Sequence, residues 1–132
     1  MRVLLDTNIL LRALAGDPLV ENISDVLLAE DTEVYVSAVS WWDIAARIAS
    51  GNLEADLDEL REAAAQSGFL ELPLHGRHVR ALAGPADSFG AGLKTSSFAL
   101  MIAAQAEAEP MHLVSSGTTP SGRAAVVLRE WR

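Results

Sequence analysis

Short apolar runs alternate with amphipathic stretches along the whole chain. The apolar runs are typical of buried strands, and they predict strands at Val3–Leu5, Glu33–Ser37, Phe69–Leu72 and His112–Val114, with a last edge strand at Val126–Leu128. Between them, apolar residues recur at helical spacing, which predicts helices over Ile9–Ala15, Val20–Glu30, Trp41–Ser50, Asp56–Gln66, His75–Leu82 and Ser96–Glu107. Strands that alternate with helices in this way favour a parallel sheet covered by helices on both faces.

Turn-forming residues separate the predicted elements. Helices are expected to stop where glycine meets another turn former, and such sites occur at Gly16-Asp17-Pro18, Gly51-Asn52 and Ser67-Gly68. Ser40 is the predicted N-cap of the helix that follows the second strand. Residues 84–95 and 115–122, rich in Gly, Ser, Thr, Ala and Pro, predict loops. Because no linker or repeat interrupts the pattern, we expect residues 1–132 to form a single domain.

The composition limits the chemistry that the chain can support. Its 132 residues are 50% hydrophobic and include no cysteine, which excludes disulfides and thiolate metal sites. Any metal ion must therefore be held by oxygen atoms or by the three histidines, His75, His78 and His112. No signal peptide is visible, and no segment reaches the ~20 apolar residues of a membrane span. We expect a soluble cytoplasmic protein without membrane contact.

The formal net charge of −8 bears on the choice of partner. Non-specific attraction to nucleic acid needs clustered lysine and arginine, and this chain has more acids than bases. To handle RNA, it would need metal ions, a local arginine patch or a basic partner. Simple solubility accounts for the acidic balance equally well.

Two acids are expected at the functional edge of the sheet. In open parallel sheets, ligands bind beyond the carboxyl ends of the strands. Asp6 directly follows the first strand, and Asp43 is expected in the first turn of the helix after the second strand. Each carboxylate could instead serve only as a helix cap or as a partner of the helix dipole.

The sequence segments around these two acids resemble those of a known family. The segments Val3–Leu11 (VLLDTNILL) and Val34–Ala45 (VYVSAVSWWDIA) resemble the PIN-domain family, specifically the toxins of VapBC-type toxin–antitoxin pairs. Three further segments resemble the family and follow in the same order as in its members: Gly68–Leu74, Met101–Ala106 and Leu113–Ser116. The resemblance covers nearly the whole chain. It implies a three-layer α/β/α fold with a central parallel sheet of four or five strands.

The resemblance also implies a function, that of a metal-dependent endoribonuclease. Family members gather acids from four places around Mg²⁺ or Mn²⁺, and hard divalent cations prefer such oxygen ligands. By this resemblance Asp6 is the first acid and Asp43 the second, at a position where glutamate is more common. Their expected polar neighbours are Thr7, Asn8, Ser37 and Ser116. The implied partners are a VapB-like antitoxin, an RNA substrate and a second copy of the chain in a homodimer.

The chain departs from the family pattern at the other two acids. The third acid is expected at the start of the last long helix, where Ala99 stands, and the fourth at the position of Gly117. Asp87 offers a replacement by a shifted alignment, although a solvated loop aspartate is the simpler interpretation. Mg²⁺ can bind through one or two carboxylates with water, whereas a two-metal site needs bridging ligands. The two departures from the family pattern therefore predict weak or absent metal binding and a weakened or lost activity.

Two other interpretations remain open. The chain could be a catalytically inactive PIN domain that acts as a protein- or RNA-binding module. It could also be an unrelated phosphate-handling α/β enzyme that uses Asp6, although a Gly-rich phosphate loop is absent. His75 and His78 have a spacing seen in metal sites, but we expect both to be exposed helix residues.

Overall fold

The computed structural model describes residues 1–16, 30–82, 97–118 and 124–129. Within these ranges, strands and helices follow one another in a largely alternating order. The strands are β1 (Arg2–Leu5), β2 (Glu33–Ser37), β3 (Leu70–Leu72), β4 (His112–Thr118) and β5 (Ala124–Arg129). The helices are α1 (Thr7–Leu14), α2 (Ala38–Ala49), α3 (Leu57–Gln66), α4 (Gly76–Leu82) and α5 (Ser97–Ala108). The predicted helix at Val20–Glu30 and the predicted loop at 84–95 lie outside these residues, apart from Glu30.

The strands form one sheet in the order β3-β2-β1-β4-β5. The first four strands of this order are parallel, and β5 pairs with β4 in the antiparallel direction. Leu5 lies between Val36 of β2 and Val114 of β4, so these neighbouring strands reach the same edge together. We call this side the carboxyl edge. The mixed α/β architecture with a four-stranded parallel centre confirms the predicted fold class.

The end of β4 differs from the prediction. The sequence predicted a loop from residue 115, but the strand continues to Thr118. The reason is that β5 supplies backbone partners for this extension, from Ser115 opposite Val127 to Thr118 opposite Ala124. Small and polar residues therefore continue a strand here because a neighbouring strand pairs with them.

The core lies on both faces of the sheet. Successive side chains of a strand point to opposite faces, and β1 illustrates this: Val3 and Leu5 belong to one apolar cluster, and Leu4 belongs to the other. The first cluster packs the sheet against α1, α2 and α3, and it contains Trp41. The second packs the sheet against α5 through Ile102 and Ala106. Burial on both faces explains why β1 is a continuous apolar run.

Glycines end the helices where the sequence predicted. Gly51 and Gly68 follow the C-caps of α2 and α3 and have positive φ angles of 81° and 82°. This left-handed conformation lets the chain leave a helix and is least strained for glycine.

The start of α2 is a correction to the prediction. Ser37, not Ser40, is the N-cap, and its Oγ accepts a hydrogen bond of 2.9 Å from the Val39 N–H. The helix therefore begins at Ala38, directly after β2. Asp43 consequently lies in the second turn of the helix and not in the first. Ser40 is fully buried within the helix, where its Oγ accepts a hydrogen bond from Thr7 Oγ1 at 3.2 Å.

His78 is a second correction, because it is fully buried and not an exposed helix residue. Its Nδ1 accepts the backbone N–H of His75 at 2.9 Å, which assigns the ring proton to Nε2. That Nε2 lies 2.6 Å from Glu109 Oε2. The burial arises because α4 packs against α5 and brings His78 onto the residue that follows α5. His75 itself is exposed, as predicted.

Within the described ranges, no helix is both long and apolar enough to cross a membrane.

Candidate active site

Asp6 lies at the carboxyl edge, between the end of β1 and the start of α1. Its backbone is extended, and its Oδ1 accepts a hydrogen bond of 2.7 Å from the Ile9 N–H, so Asp6 is the N-cap of α1. Its Oδ2 accepts a second hydrogen bond of 2.7 Å from Ser115 Oγ in β4. The backbone N–H of Asp6 donates to Val114 O at 2.9 Å. These contacts fix the direction of the carboxylate.

Asp43 reaches the same region from α2. Its side chain is 9% exposed, and both of its oxygens are bound by Arg47, one turn further along the helix. Arg47 Nε lies 3.0 Å from Asp43 Oδ1, and Arg47 Nη2 lies 3.1 Å from Oδ2. Arg47 Nη1 also donates to Asn8 Oδ1 at 3.2 Å. A bidentate arginine–carboxylate pair of this kind is stronger and more directional than a single ion pair.

These side chains line a small pocket of about 50 Å³, which we call the acidic pocket. It brings together residues of β1–α1, α2 and α5: Asp6, Thr7, Asn8, Asp43, Arg47, Ala99 and Ile102. Both acids predicted from the sequence thus face one pocket, with their predicted neighbours Thr7 and Asn8. Asp6 and Asp43 come from different elements, and the convergence of the strand ends brings them together.

The positions of the two missing acids are also informative. Ala99 lies in the first turn of α5 and lines the acidic pocket together with the two aspartates. A carboxylate at this position would enter the pocket. Gly117 lies near the end of β4, where its backbone pairs with Ala125 of β5. Asp87, the predicted replacement, lies outside the described residues.

The two predicted serine neighbours occupy different places. Ser37 is fully buried and does not line the pocket; it caps α2 and donates a hydrogen bond from Oγ to Gln105 Oε1. Gln105 in turn donates from Nε2 to Pro73 O at 3.2 Å. Ser116 lies in β4, and its neighbour Ser115 donates a hydrogen bond from Oγ to Asp6. Ser37 thus joins α2 to α5.

Two residues of the site were missed by the sequence analysis. Arg47 stands four positions after Asp43 on a helix, which is a spacing that brings opposite charges together. That signal was present in the sequence. The contact of Ser115 with Asp6 had no local signal, because it depends on β4 lying next to β1 in the sheet.

The donor set of the acidic pocket fits one hard divalent cation in its chemistry. Asp6, Asp43 and Asn8 each have a side-chain oxygen, and oxygen atoms are the ligands that Mg²⁺ and Mn²⁺ prefer. In the part of the chain that the structure describes, no three carboxylate or imidazole groups form a cluster that could hold a metal ion. The described residues therefore do not supply the ligands of a two-metal site. In addition, Arg47 already binds both oxygens of Asp43.

A second charged cluster surrounds Glu109 at the opposite edge of the sheet. Arg77 Nη2 lies 2.6 Å from Glu109 Oε2, and Arg2, at the start of β1, lies 3.7 Å from Oε1. Burial opposes ionisation of Glu109, but hydrogen bonds from His78 and Arg77, together with the positive charge of Arg77, outweigh it and hold the pKa of Glu109 below its ordinary value of 4.5. Glu109 therefore stabilises the junction of β1, α4 and α5, far from the acidic pocket.

Comparisons with known proteins agree with this architecture. The sequence model of the PIN domain matches residues 3–121. Among solved structures, a chain of the VapBC2 complex from Rickettsia felis, bound to a DNA fragment from its promoter, is similar with a TM-score of 0.67 at 18% identity, over 89% of each chain. A toxin–antitoxin complex from Klebsiella pneumoniae gives a TM-score of 0.59 at 17% identity, over 89% of this chain and 88% of that one. No curated protein matches the sequence significantly.

Proposed function

Since the chain belongs to the PIN domain family, we propose that it is a VapC-like toxin: a metal-dependent endoribonuclease whose activity is weakened by the loss of two acids. In this proposal residues 1–132 form one domain that acts in the cytoplasm. Its substrate is RNA, its cofactor is a weakly bound Mg²⁺ or Mn²⁺, and its partners are a VapB-like antitoxin and a second copy of the chain.

One observation carries the proposal. Asp6 and Asp43, which come from separate elements of the chain, line the same small pocket at the carboxyl edge. Thr7 and Asn8 line it as well, and the first turn of α5 faces it through Ala99. Ligands of parallel α/β sheets bind at this edge. Position and chemistry therefore agree with the family's nuclease site.

Each residue has a definite task in this proposal. Asp6 and Asp43 would hold the cation, which when bound activates a water molecule and offsets charge on the phosphate. Ser115 and the Ile9 N–H orient the Asp6 carboxylate through their hydrogen bonds. Thr7 donates to Ser40 and so joins the start of α1 to α2, which carries Asp43.

The weakening follows from the same contacts. Two carboxylates provide less charge and fewer ligands than four, and the side chain of Ala99, which lines the pocket, contains no oxygen. Fewer acids also repel one another less, which favours the metal-free protein. Water and substrate phosphate would have to complete the coordination of a single ion.

The antitoxin partner is supported by the structural neighbours. Both are toxin–antitoxin complexes by description, and the likeness extends over nearly nine-tenths of this chain. At 17–18% identity this likeness concerns the fold, so the partner is inferred from the fold together with the family.

A second function is favoured by a specific observation, the pairing of Asp43 with Arg47. The two hydrogen bonds from the Arg47 guanidinium, which we call the arginine fork, satisfy both oxygens of Asp43 without any metal ion. A pocket stabilised in this way suits a catalytically inactive PIN domain that works by binding protein or RNA.

Heat-melting with and without millimolar Mn²⁺, alongside an RNA cleavage assay, separates the two functions. A ligand of the folded state raises the melting temperature. We expect a small Mn²⁺-induced rise and slow cleavage, both abolished by Asp6→Asn and retained by Asp58→Asn, a change at an exposed acid of α3. Absence of both cleavage and thermal shift in the unaltered protein would instead support the binding module.

A further inference from the structure

We propose that Arg47 is an internal competitor of the divalent cation: its guanidinium binds Asp43 in the metal-free protein and must leave before the ion can bind. This inference rests on the proposed function, because it assigns the same pocket to the metal. It adds a residue that sets the affinity of the site and that supplies no ligand itself.

The geometry of the fork carries the inference. Arg47 donates to each oxygen of Asp43, at 3.0 Å and 3.1 Å, and its third nitrogen donates to Asn8 at 3.2 Å. The guanidinium thus binds two of the oxygen-bearing side chains that line the acidic pocket. A cation that takes Asp43 as a ligand must compete with two charge-assisted hydrogen bonds.

Burial makes this competition strong. The Asp43 side chain is 9% exposed, so water screens its charge poorly and its pairing with Arg47 matters more than a surface pair would. The Arg47 side chain is 35% exposed, which gives the guanidinium a path toward solvent when it releases Asp43. The pair is therefore closed in this structure, and the exposed side of Arg47 gives it a way to open.

The positive charge of Arg47 also opposes binding of the ion. Arg47 places one positive charge beside Asp43, in the pocket that Asp6 also lines, and so supplies half of the charge that a divalent cation would bring. If the ion entered while the guanidinium stayed in place, the two cations would repel each other. Removal of Arg47 should therefore raise Mn²⁺ affinity. If Arg47 served only to hold Asp43 in place, its removal would lower Mn²⁺ affinity instead.

The test measures Mn²⁺ affinity directly, from the paramagnetic resonance signal of free Mn²⁺ during titration of the full chain. Arg47→Ala and Arg47→Gln are the main variants. Arg61→Ala is the matched control, because it removes the same charge from an exposed ion pair with Glu71 in another region. We expect affinity to rise about tenfold or more in both Arg47 variants, in keeping with the loss of two charge-assisted bonds, and to stay unchanged in Arg61→Ala.

A melting experiment covers the case in which the variants are less stable. Without metal, Arg47→Ala should melt below the unaltered protein because it leaves Asp43 buried and unpaired. Mn²⁺ should then raise its melting temperature more than it raises that of the unaltered protein. Adding Asp43→Asn to Arg47→Ala should remove the gain in affinity. If Arg47→Ala fails to fold, Arg47→Gln carries the measurement.

The outcomes separate this inference from the proposed function. Equal Mn²⁺ affinity in the unaltered protein and the Arg47 variants overturns the inference and leaves the metal site standing. An equal gain in Arg61→Ala also overturns it, because the effect is then one of net charge. If no variant binds Mn²⁺, both the inference and the metal-dependent function fail.

Discussion

Ser115 Oγ donates a hydrogen bond of 2.7 Å to Asp6 Oδ2, and this bond joins β4 to the cap of α1 across 109 positions of sequence. The other oxygen of Asp6 accepts the Ile9 N–H at the same distance. Each oxygen therefore has a fixed role in the fold before any ligand arrives. Changes at either residue will affect stability as well as the proposed site, and the two effects must be measured separately.

Ser115→Ala should destabilise the protein by about 1.5 kcal/mol, because a hydrogen bond to a charged, partly buried group is lost. Urea unfolding followed by circular dichroism measures this change. Ser67→Ala is the control, since Ser67 donates a similar bond to Ala63 O on the exposed end of α3, and it should cost less than about 0.5 kcal/mol. Equal losses in both variants would contradict a special role for Ser115.

Asp6→Ala and Asp6→Asn should differ in stability but share the loss of metal response. Alanine removes the N-cap of α1 and should cost about 1–2 kcal/mol, whereas asparagine caps nearly as well as aspartate. Thermal melts with and without Mn²⁺ measure both properties. Asp6→Asn should melt close to the unaltered protein without metal and gain nothing from Mn²⁺. A full Mn²⁺-induced shift in this variant would exclude Asp6 as a ligand.

Ala99→Asp should raise Mn²⁺ affinity by about tenfold or more, a change of roughly 1.4 kcal/mol. The new carboxylate would lie in the first turn of α5 and enter the acidic pocket. Its repulsion from the two aspartates is partly offset by the dipole of α5, which favours an acid there by about 0.3–1 kcal/mol.

The charge-matched control for this variant is Ala65→Asp, at an exposed position of α3. Isothermal titration with Mn²⁺ compares the two. No gain in Ala99→Asp, or the same gain in Ala65→Asp, would show that position 99 does not face a metal site.

Glu109 should make stability fall on acidification. Its pKa is lower in the folded protein than the ordinary value of 4.5, so between these two pKa values the unfolded chain binds more protons than the folded one. The contribution is fully present above about pH 4.5 and is lost as the pH falls through the lower, folded-state value. Urea unfolding between pH 3 and pH 6, values chosen to span this window, measures the slope.

Glu109→Gln should flatten that slope and lower stability at neutral pH, because Arg2, Arg77 and His78 lose their charged acceptor. Glu71→Gln is the control, since Glu71 pairs with Arg61 on the surface, where ion pairs contribute little. A slope unchanged by Glu109→Gln would assign the acid sensitivity to other groups.

Local signals in the sequence were sufficient for the central strands and for Asp6. The apolar run of β1, buried on both faces, and the polar residue after it predicted the strand, the cap and the edge of the sheet. The start of α2 was harder, because Ser37 and Ser40 are both good caps by type. Ser37 takes this role while its hydroxyl also bonds Gln105, a contact made only in the folded protein.

Other features depended on distant parts of the chain. The burial of His78 requires Glu109, which lies 31 positions away and approaches only when α4 packs on α5. The sequence did not decide whether β5 runs parallel or antiparallel to β4, because β4 was expected to end at Val114. With β4 ending at Thr118 and β5 starting at Ala124, the connection is shorter than the dozen or more residues that a parallel crossover takes.

The placement of Ala99 in the first turn of α5, facing the acidic pocket, has an evolutionary consequence. Every alanine codon is a single base change from a codon for aspartate or glutamate. The surrounding fold keeps the cap, the strand ends and the helix that such an acid would need. A single base change at this codon would therefore add a third acidic side chain to the lining of the acidic pocket without any change to the surrounding architecture.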